Sequence, residues 1–574
     1  MKRIPFNRVL ILLSSLIFGL ICSLSSCSDD EIEPQKPTIN LVEEDVVFNV
    51  KIGKNLKIFP VYEYVDNAVY AWKMNGKIIS TDPELEYTTT ELGDQFVTLD
   101  VVNSVGSAFL EMKISVLDLL LPKISVKIPE NGITIVKGSD LEIAPSVENN
   151  ENTTYSWTVD GKEKATTKDY TFSSSETGTF KLVLKVTNED GFDEVTIPVV
   201  VCKAEDLPFS WVFEQTEYNM SSGRTIRLMA YDIKNDLGGD FIWIVDGEEK
   251  QKGKQPWYAF TSKDEGEHLV TLKMKNDYSE VTQKLTVNVC PPEGTFKREA
   301  SAASSEQWNK VYKFLAAPGQ FVNEGYTANT QEEAIEYAEG RLKQNIYVSL
   351  GGFGGNIVLG FDHSVKNDGS YNIQILGNSF KGSSEPGIVW VMQDENGDGL
   401  PNDTWYELKG SDTKNGSTIK DYAVTYYKPK SPGLPVQWSD NQGNTGCVDY
   451  LGSFHSQDYY YPEWVETDSY TLRGTCLPAR TKETTPGIWE NGEFDWGYAD
   501  NYSPIDRLTE DDNYGASANG NHFKISDAIR YDGTPANLKY IDFVKVVGGV
   551  NAKAGWLGEN STEVFGVKDF NLIK

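Results

Sequence analysis

Three times along its N-terminal half the chain repeats one pattern, aromatic-x-Trp-x-x-Asn/Asp-Gly: YAWKMNG from Tyr70, YSWTVDG from Tyr155 and FIWIVDG from Phe241. Trp72, Trp157 and Trp243 stand 85 and then 86 residues apart. Each is followed by a second aromatic (Tyr87, Tyr170, Tyr258), a glycine (Gly93, Gly178, Gly266) and a run ending in asparagine, LDVVN, LKVTN or LKMKN. Asn-Gly and Asp-Gly favour the two-residue hairpin turn because both positions tolerate positive φ. A Trp three residues earlier on the incoming strand then points to one fixed face, where it anchors the core of a small two-sheet sandwich. Three such sandwiches in tandem are expected, over about 38–117, 122–202 and 205–291. Modules repeated in this way serve mainly as spacers, so the tryptophans read as core residues rather than as a binding face.

The order of these signals resembles PKD and related immunoglobulin-like modules. The whole chain is accordingly expected to be all-β, with tandem immunoglobulin/PKD-like sandwiches followed by a larger C-terminal domain. Its 574 residues exceed what one core supports. A net charge of −31 argues against a nucleic-acid partner, whose phosphates it would repel.

The first residues read as a targeting device. Lys2, Arg3 and Arg8 precede a short apolar run from Val9 to Leu20, and Leu24-Ser25-Ser26-Cys27 follows. This resembles a bacterial lipoprotein signal over residues 1–27, with Cys27 as the lipidated residue. Residues 28–37 form a tether, and Ser28-Asp29-Asp30-Glu31 resembles the acidic tag that sends lipoproteins of Bacteroidota to the outer face of the outer membrane. No other run approaches the roughly 20 apolar residues a spanning helix needs, so the expected membrane contact is the lipid anchor alone.

After Cys290-Pro291-Pro292 the repeat stops. Residues 295–574 are expected to form a larger, jelly-roll-like β-sandwich with one short helix and long loops. The helix is predicted at about 331–343, where Thr330-Gln331-Glu332-Glu333 forms a capping-box pattern ahead of Ala334, Ile335, Ala338 and Leu342 at helical spacing. Short apolar runs between Gly351 and Leu408 read as antiparallel strands. The stretch from about Pro429 to Asn521 reads as irregular and is rich in aromatic residues. That richness excludes disorder and gives so long a loop system a functional reading.

Three kinds of site are weighed. Asp394, Asn396 and Asp398 stand at alternate positions of DENGDG, with the Leu400 carbonyl next in the series and Asn402 or Asp403 available to close it. Alternate oxygen donors around a glycine turn suit Ca²⁺, here in a structural role; an ordinary acidic turn is the plainer reading. Trp438, Tyr459, Tyr460, Trp464, Trp489 and Trp496 form the pool expected to hold a ligand, because flat rings with polar rims suit a sugar or a flat macrocycle. Against this, half or more of such rings would build the loops' own core. Catalysis finds little support: Glu463, Glu466, Glu493, Asp495 and Asp500 offer carboxylates without a spacing that selects a pair, and no nucleophile or metalloprotease motif occurs. Cys447 and Cys476 lie in one domain, and whether they form a disulfide is left open. So is whether His455 or His522 could reach a bound metal.

The C-terminal domain also resembles a family of Bacteroidota cell-surface lipoproteins with PKD-like domains, similar to cobalamin-binding lipoproteins of the BtuH type. The resemblance rests on APGQFVNE, GGFGGNIVLGFDHSV, GSSEPGIVWVMQDENGDGLPNDTWYELKGS, DYAVTYY, QDYYYP, DWGYADN, GWLGE and STEVFG. It implies a corrinoid (cobalamin, vitamin B12) as ligand rather than cofactor, passed to an outer-membrane TonB-dependent transporter complex, and it assigns no site residues. A glycan-binding protein of a polysaccharide-uptake system and a structural adhesin are the alternatives.

Overall fold

The computed structural model describes residues 35–41, 47–74, 76–126, 133–207, 209–326, 328–452, 455, 457–485, 488–508 and 520–573. The expected signal segment with Cys27, and the tether up to residue 34, lie outside the described residues. The chain divides into two compact units, Met1–Val116 and Leu117–Lys574.

The first unit is one sandwich. Its larger sheet runs in the order Val47–Lys51, Ser107–Leu117, Gly93–Val102, Val69–Met74, Lys77–Ser80. The pairs Thr38–Leu41 with Pro60–Glu63 and Asn55–Ile58 with Leu85–Thr88 cover its inner face. Trp72 is fully buried and sits opposite Leu99 of the neighbouring strand, the leucine that opens the LDVVN run. Its indole N–H donates to the Asp82 carbonyl at 2.9 Å.

The second unit begins with two more sandwiches of the same plan. Trp157 faces Leu184 and Trp243 faces Leu272, both tryptophans fully buried. The turns that follow carry the expected positive φ, 48° and 75° at Asp160-Gly161 and 50° and 85° at Asp246-Gly247. In both sandwiches the first strand of the large sheet runs parallel to the last, as in Ile133–Val136 beside Gly191–Cys202. The asparagine that closes each repeat also has a structural task. Asn188 Oδ1 accepts the N–H groups of Asp190 and Gly191, and its amide donates to the Leu120 carbonyl at 2.7 Å, tying the last hairpin to the entering chain.

The C-terminal part of this unit is built on a six-stranded sheet in the order Lys310–Leu315, Asn356–Lys366, Tyr540–Gly548, Gly387–Met392, Trp405–Leu408, Ala528–Ile529. One face packs on the sheet Gly520–Phe523, Ile373–Leu376, Gly566–Asp569 and on the helix Gln331–Lys343, which buries Ala334, Ala338 and Leu342. Thr330 caps that helix by accepting the Glu333 N–H, so the sequence signal and the observed start coincide. The GGFGG segment lets backbones meet: a Cβ on Gly351 would lie 2.0 Å from the Ala317 carbonyl oxygen, and φ there is 68°.

The stretch expected to be irregular from Pro429 is mostly loop among the described residues, with five short strands set into it before Gly520. Thr445–Val448, Val436–Asp440, Ile419–Tyr427 and Ser469–Cys476 form one four-stranded sheet in that order, and Thr481–Thr485 pairs with Ile488–Asn491. Its strands escaped the alternation pattern because large aromatics stand on both faces and glycines interrupt the runs. Cys447 and Cys476 occupy the two outer strands and are unbonded. Three interstrand spacings of ~4.8 Å alone put them at least about 14 Å apart, too far for a disulfide.

Candidate ligand-binding site

The DENGDG turn lies against the third sandwich. Thr404 Oγ1 donates to the Asn219 carbonyl at 3.0 Å, and the Asn219 amide donates to the Asn402 carbonyl at 3.3 Å. Behind the turn, the Ser221 N–H and the Arg224 guanidinium, both from the third sandwich, meet Glu395 Oε1 at 3.1 and 3.3 Å. Arg224 also pairs with Glu293 at 2.9 Å and donates to the Ala536 carbonyl at 3.1 Å. A second clamp joins Arg227 to Asp421 at 2.7 and 2.8 Å, with Tyr531 under the guanidinium. The third sandwich is thus docked on the C-terminal domain by buried charge pairs, which a mere spacer would not need.

Within the turn the candidate calcium ligands spend their oxygens on one another. Asp394 accepts the Gly397 and Gly399 N–H groups at 2.8 and 3.1 Å, and Asp398 accepts the Leu400 N–H at 2.7 Å. The Asn396 and Asn402 amides both donate to Asp398 Oδ2, at 2.9 and 2.8 Å, so each would have to turn over to offer its oxygen to an ion. Asp403 accepts the Glu395 N–H at 2.9 Å through one oxygen, while its other oxygen is buried without a partner. Burial pushes the Asp403 carboxyl up to about 8. An orphaned buried oxygen beside an oxygen-rich turn fits a hard cation; the amide orientations do not yet present one.

The aromatic pool is dispersed rather than convergent. Tyr460 and Trp464 are buried at 1% and 6% exposure, in the packing of two different cores. Trp438 lies over Gly446 on the adjacent strand, where a Cβ would fall 2.4 Å from its ring. Tyr459 is partly buried and its hydroxyl donates to the Pro429 carbonyl at 3.4 Å. Trp489 packs on the backbone at Gly555. Trp496 alone among the six lines a described cavity, of about 250 Å³.

That cavity joins residues the sequence gave no reason to group. Tyr371, Trp496 and Ile505 supply apolar wall, and Lys409, Asp527 and His522 supply polar wall. Lys409 and Asp527 pair at 3.2 Å. Burial lowers the His522 pKa and favours the neutral ring; Nδ1 meets the Asp506 carbonyl at 2.9 Å, closer than the Leu508 N–H at 3.4 Å, which favours the tautomer with the proton on Nδ1. Nε2 is left as a buried lone pair without a hydrogen-bond partner among the described residues. His455 is engaged elsewhere, between Glu324 and Gln320. Of the five acids weighed for catalysis, Glu463, Glu466, Glu493 and Asp495 are exposed, and Asp500 is buried.

Comparison with known proteins agrees with the sandwiches. A family model described as a PKD-like domain matches residues 36–103 and 121–188. The third sandwich, with the same Trp and turn, lies outside that match. Among solved structures, fibronectin(III)-like modules of Clostridium thermocellum CbhA are 14% identical, cover 31% of this chain and 100% of that one, and give a TM-score of 0.18. Drosophila OTK extracellular domains 3–5 are 10% identical, cover 46% and 100%, and give 0.18. A titin fragment is 13% identical, covers 44% and 97%, and gives 0.17. No curated protein matches the chain. By its own strands and the PKD-like match, the protein is mostly β, with tandem Ig-like modules of PKD type. That arrangement is consistent with a surface or adhesin-like protein, and modules of this kind are typically non-catalytic.

Proposed function

We propose that the chain is a lipid-anchored, outer-membrane surface protein whose C-terminal domain binds a corrinoid and passes it to a TonB-dependent transporter. Anchoring through Cys27 and display by the PKD-like sandwiches make up the first half of that reading. The observation that carries the second is the cavity at Trp496, which sets aromatic wall beside the Lys409, Asp527 and His522 side chains. A corrinoid is a flat apolar macrocycle fringed with amides, and such a rim engages both kinds of wall. At about 250 Å³ the cavity takes a side group of the macrocycle, with the ring lying across its mouth. The neutral His522 ring stands behind this wall as a candidate cobalt ligand, its proton fixed by the Asp506 carbonyl. The DENGDG turn is proposed to take Ca²⁺ through Asp394, Asn396, Asp398, the Leu400 carbonyl and Asp403 once the two amides turn over, stiffening the seam with the third sandwich.

Size-exclusion chromatography of the full chain with cyanocobalamin tests the reading. Co-elution at micromolar concentration is expected, and separation of the two ends the corrinoid reading. Binding on a glycan array instead would assign the protein to polysaccharide capture, and failure of both would leave a structural adhesin.

A further inference from the structure

Four acidic side chains are gathered deep in the C-terminal domain with no basic residue among them. Glu385, Asp500 and Glu563 each bring an oxygen within 4.8 Å of the others, the one such acidic group among the described residues. Glu559 stands close enough for its charge to act on Glu385 and Glu563. Asp500, Glu559 and Glu563 are 1%, 5% and 3% exposed, and none of the four forms an ion pair with a described Lys, Arg or His. Asp500 is well supplied: its oxygens accept the N–H groups of Asn378, Ser379 and Glu563 at 2.9, 2.9 and 2.8 Å. Glu563 is not. Its Oε1 is fully buried and receives no N–H or O–H from a described residue, and the only side-chain partner of its carboxyl among them is another acid, Glu385. Glu559 Oε2 is likewise buried and unpartnered, while Oε1 accepts the Gln320 N–H at 2.9 Å.

The backbone is shaped to hold these acids. A Cβ on Gly319 would lie 2.4 Å from Glu559 Oε1, and one on Gly377 would lie 2.7 Å from Asp500 Oδ1. Asp500 itself holds φ at 51°, a conformation that a side chain must be fixed to maintain. Uncompensated carboxylates at this depth cost several kcal/mol each, so something positive must neutralise them. Two candidates exist: protons shared between the acids, or a cation. Two oxygens on opposite sides of a calcium ion at ~2.4 Å stand about 4.8 Å apart, and the three acids bring their oxygens within that limit. The donor set is oxygen only, without the nitrogen or sulfur that zinc prefers. Glu385 is the one member of the three whose residue is not fully buried.

We propose that Glu385, Asp500 and Glu563, with Glu559 beside them, form a buried calcium site, distinct from the DENGDG turn, that pins the segments around 377–387, 499–501 and 559–563 to one another. The ion replaces the missing basic residue and uses the orphaned oxygen of Glu563.

The test is the calcium content and thermal unfolding of the full chain after chelation and reloading with calcium chloride, for wild type, Glu563→Gln and Asp398→Asn. Reloaded wild type is expected to carry about one more ion per chain than E563Q and to gain several degrees in Tm that E563Q does not gain. D398N, altered only in the exposed turn, should keep that ion and that gain. If wild type takes up no calcium, or E563Q takes up as much as wild type, the acids are neutralised by protons and the proposal fails. Should E563Q not fold, D398N decides alone: about one ion per chain supports the site, and none overturns it.

Discussion

Arg227, from the third sandwich, holds Asp421 of the C-terminal domain through two parallel N–H···O bonds of 2.8 and 2.7 Å, with the Tyr531 ring 3.3 Å from its guanidinium carbon. Both side chains are mostly buried, at 15% and 24% exposure. A bidentate pair of this kind fixes orientation as well as distance.

Replacing Arg227 by Ala leaves the Asp421 carboxylate partly buried and alone, and about 2–4 kcal/mol of docking energy is expected to be lost. Thermal unfolding should then separate the third sandwich from the C-terminal domain, giving two transitions where wild type gives one for that pair. Calorimetry checks this; an unaltered single transition counts against the seam as an energetic unit.

His363 sets a pH dependence. Burial opposes its charge, yet the carboxylates of Asp362 and Asp569, at 2.5 and 2.9 Å from its two ring nitrogens, outweigh that and raise its pKa. The folded state thus favours the protonated ring. Its contribution is complete below the unfolded value of about 6.5 and is lost as pH rises through the higher folded value. The C-terminal domain should therefore melt lower as pH climbs above about 6.5, and His363→Gln should flatten that slope. His522, whose pKa is lowered by burial, acts with the opposite sign below the same point and is unchanged in the variant, so the difference between the two curves isolates His363. Parallel curves would refute the assignment.

Trp157 fills the second sandwich and donates to the Thr167 and Lys168 carbonyls at 3.1 and 3.2 Å. Trp157→Ala is expected to cost roughly 3–5 kcal/mol, through the cavity it leaves. Trp157→Phe, which keeps most of the volume and loses the donor, should cost clearly less. Denaturant titration of the two variants gives the comparison.

At the proposed corrinoid site, Trp496→Ala should weaken cyanocobalamin binding by at least about fivefold, since one aromatic wall is worth ~1 kcal/mol or more. His522→Gln should leave cyanocobalamin binding closer to wild type and abolish any shift in the aquocobalamin spectrum. Equal binding by wild type and W496A would move the ligand away from this cavity.

The sandwiches were legible because their signals are local: a Trp, a turn three residues on, and a leucine brought opposite by one hairpin. The helix Gln331–Lys343 was legible for the same reason, through Thr330 and Glu333. What depends on distant partners was not. Nothing in the neighbourhood of Arg224 announces Glu395, and Glu385, Asp500, Glu559 and Glu563 come from separated stretches that only the fold assembles. The aromatic stretch after Pro429 misled in another way: rings that look like a binding surface in sequence, such as Tyr460 and Trp464, are equally good core residues, and only burial separates the two.

The seam between the third sandwich and the C-terminal domain also has an order in time. A chain is made from its N-terminus, and domains fold as they emerge. Arg224 and Arg227 precede Glu395 and Asp421 in the chain, so when the sandwich folds first it presents two bare cations to a domain not yet formed. An acidic turn that folds later has a charged surface to settle on.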